Sequence, residues 1–177
     1  YIETNQALDD LSAALTRALA ASGISALPIP ATLSDDRLSA EYQRTLTPDF
    51  SHKMAATRAG LGWIGKTALL VTKAFGPRLR LATVLVAEPL PTLAPPVTEG
   101  QCGRCSLCVQ QCPAQAATGE PWRAGDPREK LLDAFKCRAA CRHITGRNLG
   151  RDESLCGLCL QVCPIGRRRT TLTGQAQ

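Results

Sequence analysis

A chain of 177 residues, 44% of them apolar, has enough material to bury one domain or two small ones. No apolar run approaches the about 20 residues of a membrane helix, and no secretory leader is visible. Membrane and exported classes are set aside, and the cytoplasm is the expected compartment. The formal charge of +6 is unevenly placed: residues 1–100 hold nine Lys/Arg and nine Asp/Glu, whereas residues 101–177 hold twelve and six, and all nine cysteines lie in that basic part.

Residues 4–22 read as an amphipathic helix, with Leu8, Leu11, Leu15 and Leu19 at steps of three and four and Gly23 as the stop. Residues 24–30 (ISALPIP) read as a short strand ended by its prolines. A second helix is expected over 34–45, capped by Ser34 or Asp35, and a third from Ser51 to Gly60. ALLVT (68–72) and LRLATVLVA (79–87), separated by the turn-like KAFGPR, make a candidate antiparallel pair. The first ninety residues are therefore an α+β scaffold and a candidate cofactor or substrate domain. A proline-rich link over 91–100 leads to a cysteine module over 101–170, with its clearest helix in LLDAFKCRAACRH (131–143), and a polar tail over 171–177.

Between the third helix and its strand, AGLGWIGKTALLV (59–71) matches two phosphate-binding patterns at once. Gly60, Gly62 and Gly65 fit the dinucleotide fingerprint; Gly60, Gly65, Lys66 and Thr67 fit the nucleotide-hydrolase loop. Both patterns need a strand before and a helix after, so that the helix N-terminus meets the phosphates. The order expected here is the reverse, and the plain reading is a helix end with Gly60 at its cap, running into a core strand.

The cysteines carry the stronger signal. Cys102-x2-Cys105-x2-Cys108-x3-Cys112-Pro113 is the bacterial ferredoxin run, whose fourth cysteine serves the other of two 4Fe–4S clusters. Cys156-x2-Cys159-x3-Cys163-Pro164 repeats its last three cysteines, with Cys137 or Cys141 available for the missing one. Crossed pairing gives one cluster to Cys102, Cys105, Cys108 and Cys163. The other falls to Cys112, Cys156, Cys159 and either Cys137 or Cys141. Structural zinc rarely shows this run, and an odd cysteine count without a leader argues against disulfides. Clusters of net charge about −2 each also account for much of the local positive charge. Among the other polar residues, His143 reads as solvated surface, Arg167, Arg168 and Arg169 as a solvated tail, and Trp63 and Trp122 as core or edge residues.

GLGWIGK, RLRLATVLVAEPL, the first cysteine run and CGLCLQVCP together make residues 50–165 resemble epoxyqueuosine reductase and its shorter relatives, iron–sulfur proteins related to corrinoid-dependent reductive dehalogenases. The resemblance implies a partial nitroreductase-like scaffold ahead of the ferredoxin-like module, and cobalamin held near Gly65, Lys66 and Thr67. It favours Cys137 over Cys141, because Cys137 follows the segment Asp133-Ala134-Phe135-Lys136. The family's proton-donating Asp falls at Leu46 in an ungapped register, leaving Asp49 and His52 as nearby candidates. The family's tRNA-gripping helical repeats have no counterpart in this sequence, so tRNA is not an expected partner. A donor protein such as ferredoxin or flavodoxin is. The expected function is a reductase passing electrons through two clusters to a bound cofactor or substrate; the alternative is an electron carrier with no substrate site.

Overall fold

The computed structural model describes residues 1–32, 38–91, 93–151 and 153–167. Among them, α1 (Ile2–Ala21) packs across a two-stranded antiparallel sheet of β1 (Ala26–Ile29) and β4 (Thr83–Val86), in the register Leu27 to Leu85. The helical period of α1 holds, but its buried face is not the leucine row. Asn5 and Ser12 are buried, while Leu11 is 65% exposed. Ser12 and Thr16 return their hydroxyls to the carbonyls of Leu8 and Ser12, at 2.8 Å each, so their polarity is satisfied within the helix. Asp9 accepts from the Ala31 amide at 2.8 Å and ties the helix to the end of β1.

The second helix, α2 (Ala40–Thr45), is shorter than expected. Ser39 caps it by accepting from the Tyr42 amide, and the expected caps Ser34 and Asp35 lie outside the described residues. Ser51 caps α3 (His52–Arg58) as its sequence suggests. Gly60, at φ 73°, ends it, with the Leu61 amide reaching back to the Ala56 carbonyl.

The strands pair differently from the expected hairpin of 68–72 with 79–87. β3 (Leu70–Val71) pairs with β2 (Trp63–Ile64), a strand the sequence did not announce, and β4 pairs with β1. Glycine makes the β2–β3 hairpin feasible. A Cβ on Gly62 would lie 2.2 Å from the Val71 carbonyl oxygen, so only glycine admits this approach. The Gly65 amide closes the turn on the Leu69 carbonyl at 2.8 Å. AGLGWIGKTALLV is therefore a helix end followed by a tight hairpin, and the phosphate-loop order is reversed, as expected.

The core lies under this hairpin. Ala56 from α3 and Trp63, Ile64, Leu70 and Val71 from the hairpin pack with Trp122 and Leu131 from the cysteine-rich half. The proline-rich stretch is pinned to both sides. Val97 donates to the Thr57 carbonyl, and Gly100 to that of Trp122. Beyond it come α4 (Leu107–Gln110), a 3-10 turn (Arg128–Lys130), α5 (Ala134–Leu149, capped by Asp133) and α6 (Leu158–Val162), with α4 against α6. No described helix is long and apolar enough to cross a membrane. Arg168, Arg169 and the expected tail lie outside the described residues.

Candidate iron–sulfur centre and the cavity beside it

The short helices α4 and α6 place cysteines at corresponding points. Cys108 lies within α4 and Cys112 just beyond it; Cys159 lies within α6 and Cys163 caps it. Their packing brings the two ends of the module together. Burial pushes the Cys108 thiol up, and the thiols of Cys102, Cys163 and Cys105 around it push it further. Burial likewise raises Cys159 to about 11 against the pull of the Thr67 hydroxyl, with Cys137, Cys156 and Cys108 as its sulfur neighbours. Two adjacent sulfur groups result. Among the described residues no three Cys, His, Asp or Glu side chains converge on a single metal ion, and all nine cysteines are free.

These sulfurs fit iron–sulfur clusters by their chemistry. Mutually repelling, partly buried thiols become favourable ligands once cationic iron takes their protons' place. Donors surround them as well. The Trp63 indole N–H donates to the Cys102 sulfur at 3.3 Å, and the Ala116 amide to the Cys112 sulfur at 3.4 Å. Trp63 was read from sequence as packing alone, and its sulfur partner is 39 positions away.

The second sulfur group opens on a cavity of about 930 Å³. Cys112, Cys137, Cys141, Cys156 and Cys159 line it, together with Lys53, Thr67, Arg78, Arg80 and Arg128. No Asp or Glu is among the described residues lining it. Lys53 was not singled out in the sequence. Its ammonium donates to the Ala68 carbonyl at 2.7 Å, and burial, aided by the Arg128 charge, lowers its pKa. Ala68 itself sits at φ 56°, an unusual conformation for a residue with a Cβ, so Lys53 braces a strained corner of the hairpin.

The three expected cofactor-binding residues separate. Thr67 lines the cavity, with its hydroxyl on Cys159. Gly65 lies against the first sulfur group: a Cβ there would be 3.6 Å from the Cys102 sulfur. Lys66 is not among the cavity's lining residues. The hairpin turn thus runs between the two sulfur groups. The candidate proton donors lie elsewhere. Asp49 and His52 line a separate cavity of about 410 Å³. Both His52 ring nitrogens are engaged, Nδ1 with the Thr83 hydroxyl at 2.7 Å and Nε2 with the Pro30 carbonyl at 2.9 Å, so His52 joins α3 to β4 and to the residue that follows β1. Leu46, in a left-handed conformation, gives its carbonyl to Arg128 at 2.6 Å.

Residues 101–166 match the 4Fe-4S double cluster binding domain family. The epoxyqueuosine reductase of Vibrio cholerae is 43% identical over 120 residues, covering 63% of this chain and 30% of the relative. That of Pseudomonas aeruginosa is 40% identical over 115 residues, covering 65% and 31%. The chain thus spans about a third of the length of these curated relatives. Among solved structures, epoxyqueuosine reductase from Bacillus subtilis superposes with a TM-score of 0.63 at 20% identity, covering 93% of this chain and 39% of that one. Another epoxyqueuosine reductase, solved with an epoxyqueuosine-modified tRNA stem loop, gives 0.63 at 21%, covering 92% and 39%. The latter overturns the expectation against tRNA, because a protein of this fold is solved holding one. Clusters account for much of the basic excess, but a charge count cannot divide itself between a cofactor and a nucleic acid. The chain thus carries a 4Fe-4S double cluster binding domain and shares the fold of epoxyqueuosine reductases, and over about a third of their length it is similar in sequence to them.

Proposed function

We propose that the chain carries the electron path of an iron–sulfur reductase of the epoxyqueuosine-reductase type, working in the cytoplasm. Cluster one is assigned to Cys102, Cys105, Cys108 and Cys163, and cluster two to Cys112, Cys137, Cys156 and Cys159. The cavity beside cluster two is the reduction site. The observation that carries this reading is that cavity itself, whose lining combines the second sulfur group with Lys53, Arg78, Arg80 and Arg128. Electrons enter at cluster one from a ferredoxin- or flavodoxin-like donor. They leave through cluster two, since Cys108 and Cys159 are sulfur neighbours across the two groups.

The clusters supply one-electron chemistry, with potentials set by hydrogen bonds and local charge. The residues around the cavity do the rest. The cations favour an anionic guest such as a phosphate-bearing nucleoside or a corrinoid tail. Thr67 fixes the Cys159 corner, and the Lys53 ammonium is the proton donor on the wall. Reduction of an epoxide to an alkene consumes two electrons and two protons and releases water, which matches two one-electron deliveries with a nearby acid. We read residues 1–90 as the nitroreductase-like part of the scaffold, with the link and the cluster module following.

The test is anaerobic purification with iron and cobalt assays, then reduction of an epoxyqueuosine-bearing stem loop in the presence of cobalamin and a flavodoxin-type donor. About eight irons per chain, corrinoid binding and loss of one oxygen from the stem loop are expected. Iron with electron transfer but no corrinoid or stem-loop binding would establish the electron-carrier reading instead. A preparation without iron would end both.

Cluster one offers a sharper check. Trp63→Phe keeps a six-membered aromatic ring and removes the pyrrole part with its hydrogen bond to Cys102. The reduced cluster is more negative and gains more from that donor, so its potential is expected to fall. A difference of about 0.5–1 kcal/mol between oxidation states corresponds to about 20–45 mV for one electron. Redox-poised electron paramagnetic resonance (EPR) reads it, and an unchanged potential would remove Trp63 from the role.

A further inference from the structure

Five cysteines, not four, surround the large cavity, and a cubane has four iron corners to be held. The surplus falls on α5. Cys137 and Cys141 are one helical turn apart on the face that also carries Ala140, Ile144 and Thr145 to the cavity. Their sulfurs are 4.0 Å apart. Both face the same partners: Cys141 has Cys156 and Cys159 as charged neighbours, and Cys159 has Cys137. Cys141 is the one buried cysteine of the nine, 8% exposed, and its sulfur neighbours are those of Cys137, Cys156 and Cys159.

The backbone beneath this pair is tied down. The Thr145 hydroxyl lies 2.9 Å from the Cys141 carbonyl and 2.6 Å from that of Leu155, whose amide in turn reaches the Thr145 oxygen at 3.3 Å. Leu155 directly precedes Cys156. The α5 turn and the Cys156 loop are thereby held as one piece, and a change of sulfur at the cluster needs only side-chain rotation between staggered wells.

We propose that Cys141 is a second thiolate for cluster two, able to replace Cys137 at the same iron. The inference rests on the assignment of two clusters made above. In the exchange, the bond from iron to the Cys137 sulfur breaks and one to the Cys141 sulfur forms. The Cys141 proton passes to the released Cys137 thiolate across the short gap between them, and no electron is gained or lost. The cluster keeps four thiolates throughout, while the corner on α5 is free to change beside the cavity.

The experiment compares the anaerobically purified full chain with Cys137→Ala, Cys141→Ala, the double variant and Cys112→Ala, by iron content and EPR of the reduced proteins. Each single α5 variant is expected to keep close to the parent's iron, with an altered cluster-two signal in Cys137→Ala. The double variant and Cys112→Ala are each expected to lose about half. Cys112→Ala also shows that the fold survives loss of one cluster, and Cys137→Ser carries the same expectation should Cys137→Ala not fold. Loss of half the iron in Cys137→Ala alone would overturn the proposal, as would full iron in the double variant. An iron-free parent would instead overturn the cluster assignment on which it rests.

Discussion

Alanine at Gly166 is expected to strip cluster one of its iron and to destabilise the whole chain by more than about 3 kcal/mol. Gly166 has φ 69°, and a Cβ there would lie 2.1 Å from the Gly76 nitrogen and 2.2 Å from the Phe75 carbonyl carbon. Those are main-chain atoms, so no rotamer change relieves the overlap. The contact is reciprocal: a Cβ on Gly76 would meet the Ile165 carbonyl oxygen at 2.0 Å. Two stretches of bare backbone, 75–76 and 165–166, are thus pressed together. Arg78 secures the seam by donating to the carbonyls of Leu160 at 2.7 Å and Cys163 at 3.0 Å, and to that of Ile165. Forcing the seam apart moves Cys163 away from Cys102, Cys105 and Cys108. Gly103 is the natural control. It also has positive φ, at 55°, but nothing lies within 4 Å of its Cβ position, so alanine there meets only conformational strain of about 1–2 kcal/mol and should keep both clusters. Iron content and thermal unfolding distinguish the two variants. A Gly166→Ala protein with full iron and an unchanged melting point would show that the seam does not position Cys163.

What could be read from the sequence was set by how local each constraint is. The cysteine run was legible because three thiolates on one tight loop must be spaced by a few residues, whatever the rest of the chain does. The Ser51 cap, the Gly60 stop and the Asp133 cap were legible, or could have been, for the same reason: a cap and its partner are three or four residues apart. The hairpin was not. β2 and β3 are two residues each, too short to show a period. What forms them is the approach of Gly62 to the Val71 carbonyl, an event between elements. The partner of β4 was out of reach for a related reason. The turn after β3, closed by Thr72 and Gly76, sends the chain toward the Cys163 segment rather than back along β3, so β4 finds β1 instead.

At the site, the residue types were legible and their neighbours were not. GKT reads in the sequence as one cofactor-binding unit, but Gly65 and Thr67 lie at different sulfur groups, and Lys66 is not among the residues lining the cavity. Lys53 carried no pattern at all. It became visible only when the hairpin turned the Ala68 carbonyl toward α3. The leucine row of α1 teaches the same lesson from the other side: the period announces a helix, while the partner surface decides which stripe of it is buried.

The largest expected separation of effects concerns the crossing of ligands between the two ends of the module. Cys112 is four residues from Cys108, yet it lines the cavity with Cys137, Cys156 and Cys159; Cys163 is 55 positions beyond Cys108, yet it is one of that residue's sulfur neighbours. Cys163→Ala should therefore abolish the intact cluster held by the first cysteine run, and Cys112→Ala should abolish the other, each removing about half of the iron. Iron content alone would not tell which cluster survives, but the Trp63 hydrogen bond does. In Cys112→Ala the surviving cluster is the one beside Trp63, so adding Trp63→Phe should still lower its potential by about 20–45 mV. In Cys163→Ala the surviving cluster lies across the hairpin turn from that indole, and the same addition should leave its potential where it was. The reverse pattern would mean that each cysteine run keeps its own cluster, and the crossed assignment would fall even with all the iron in place.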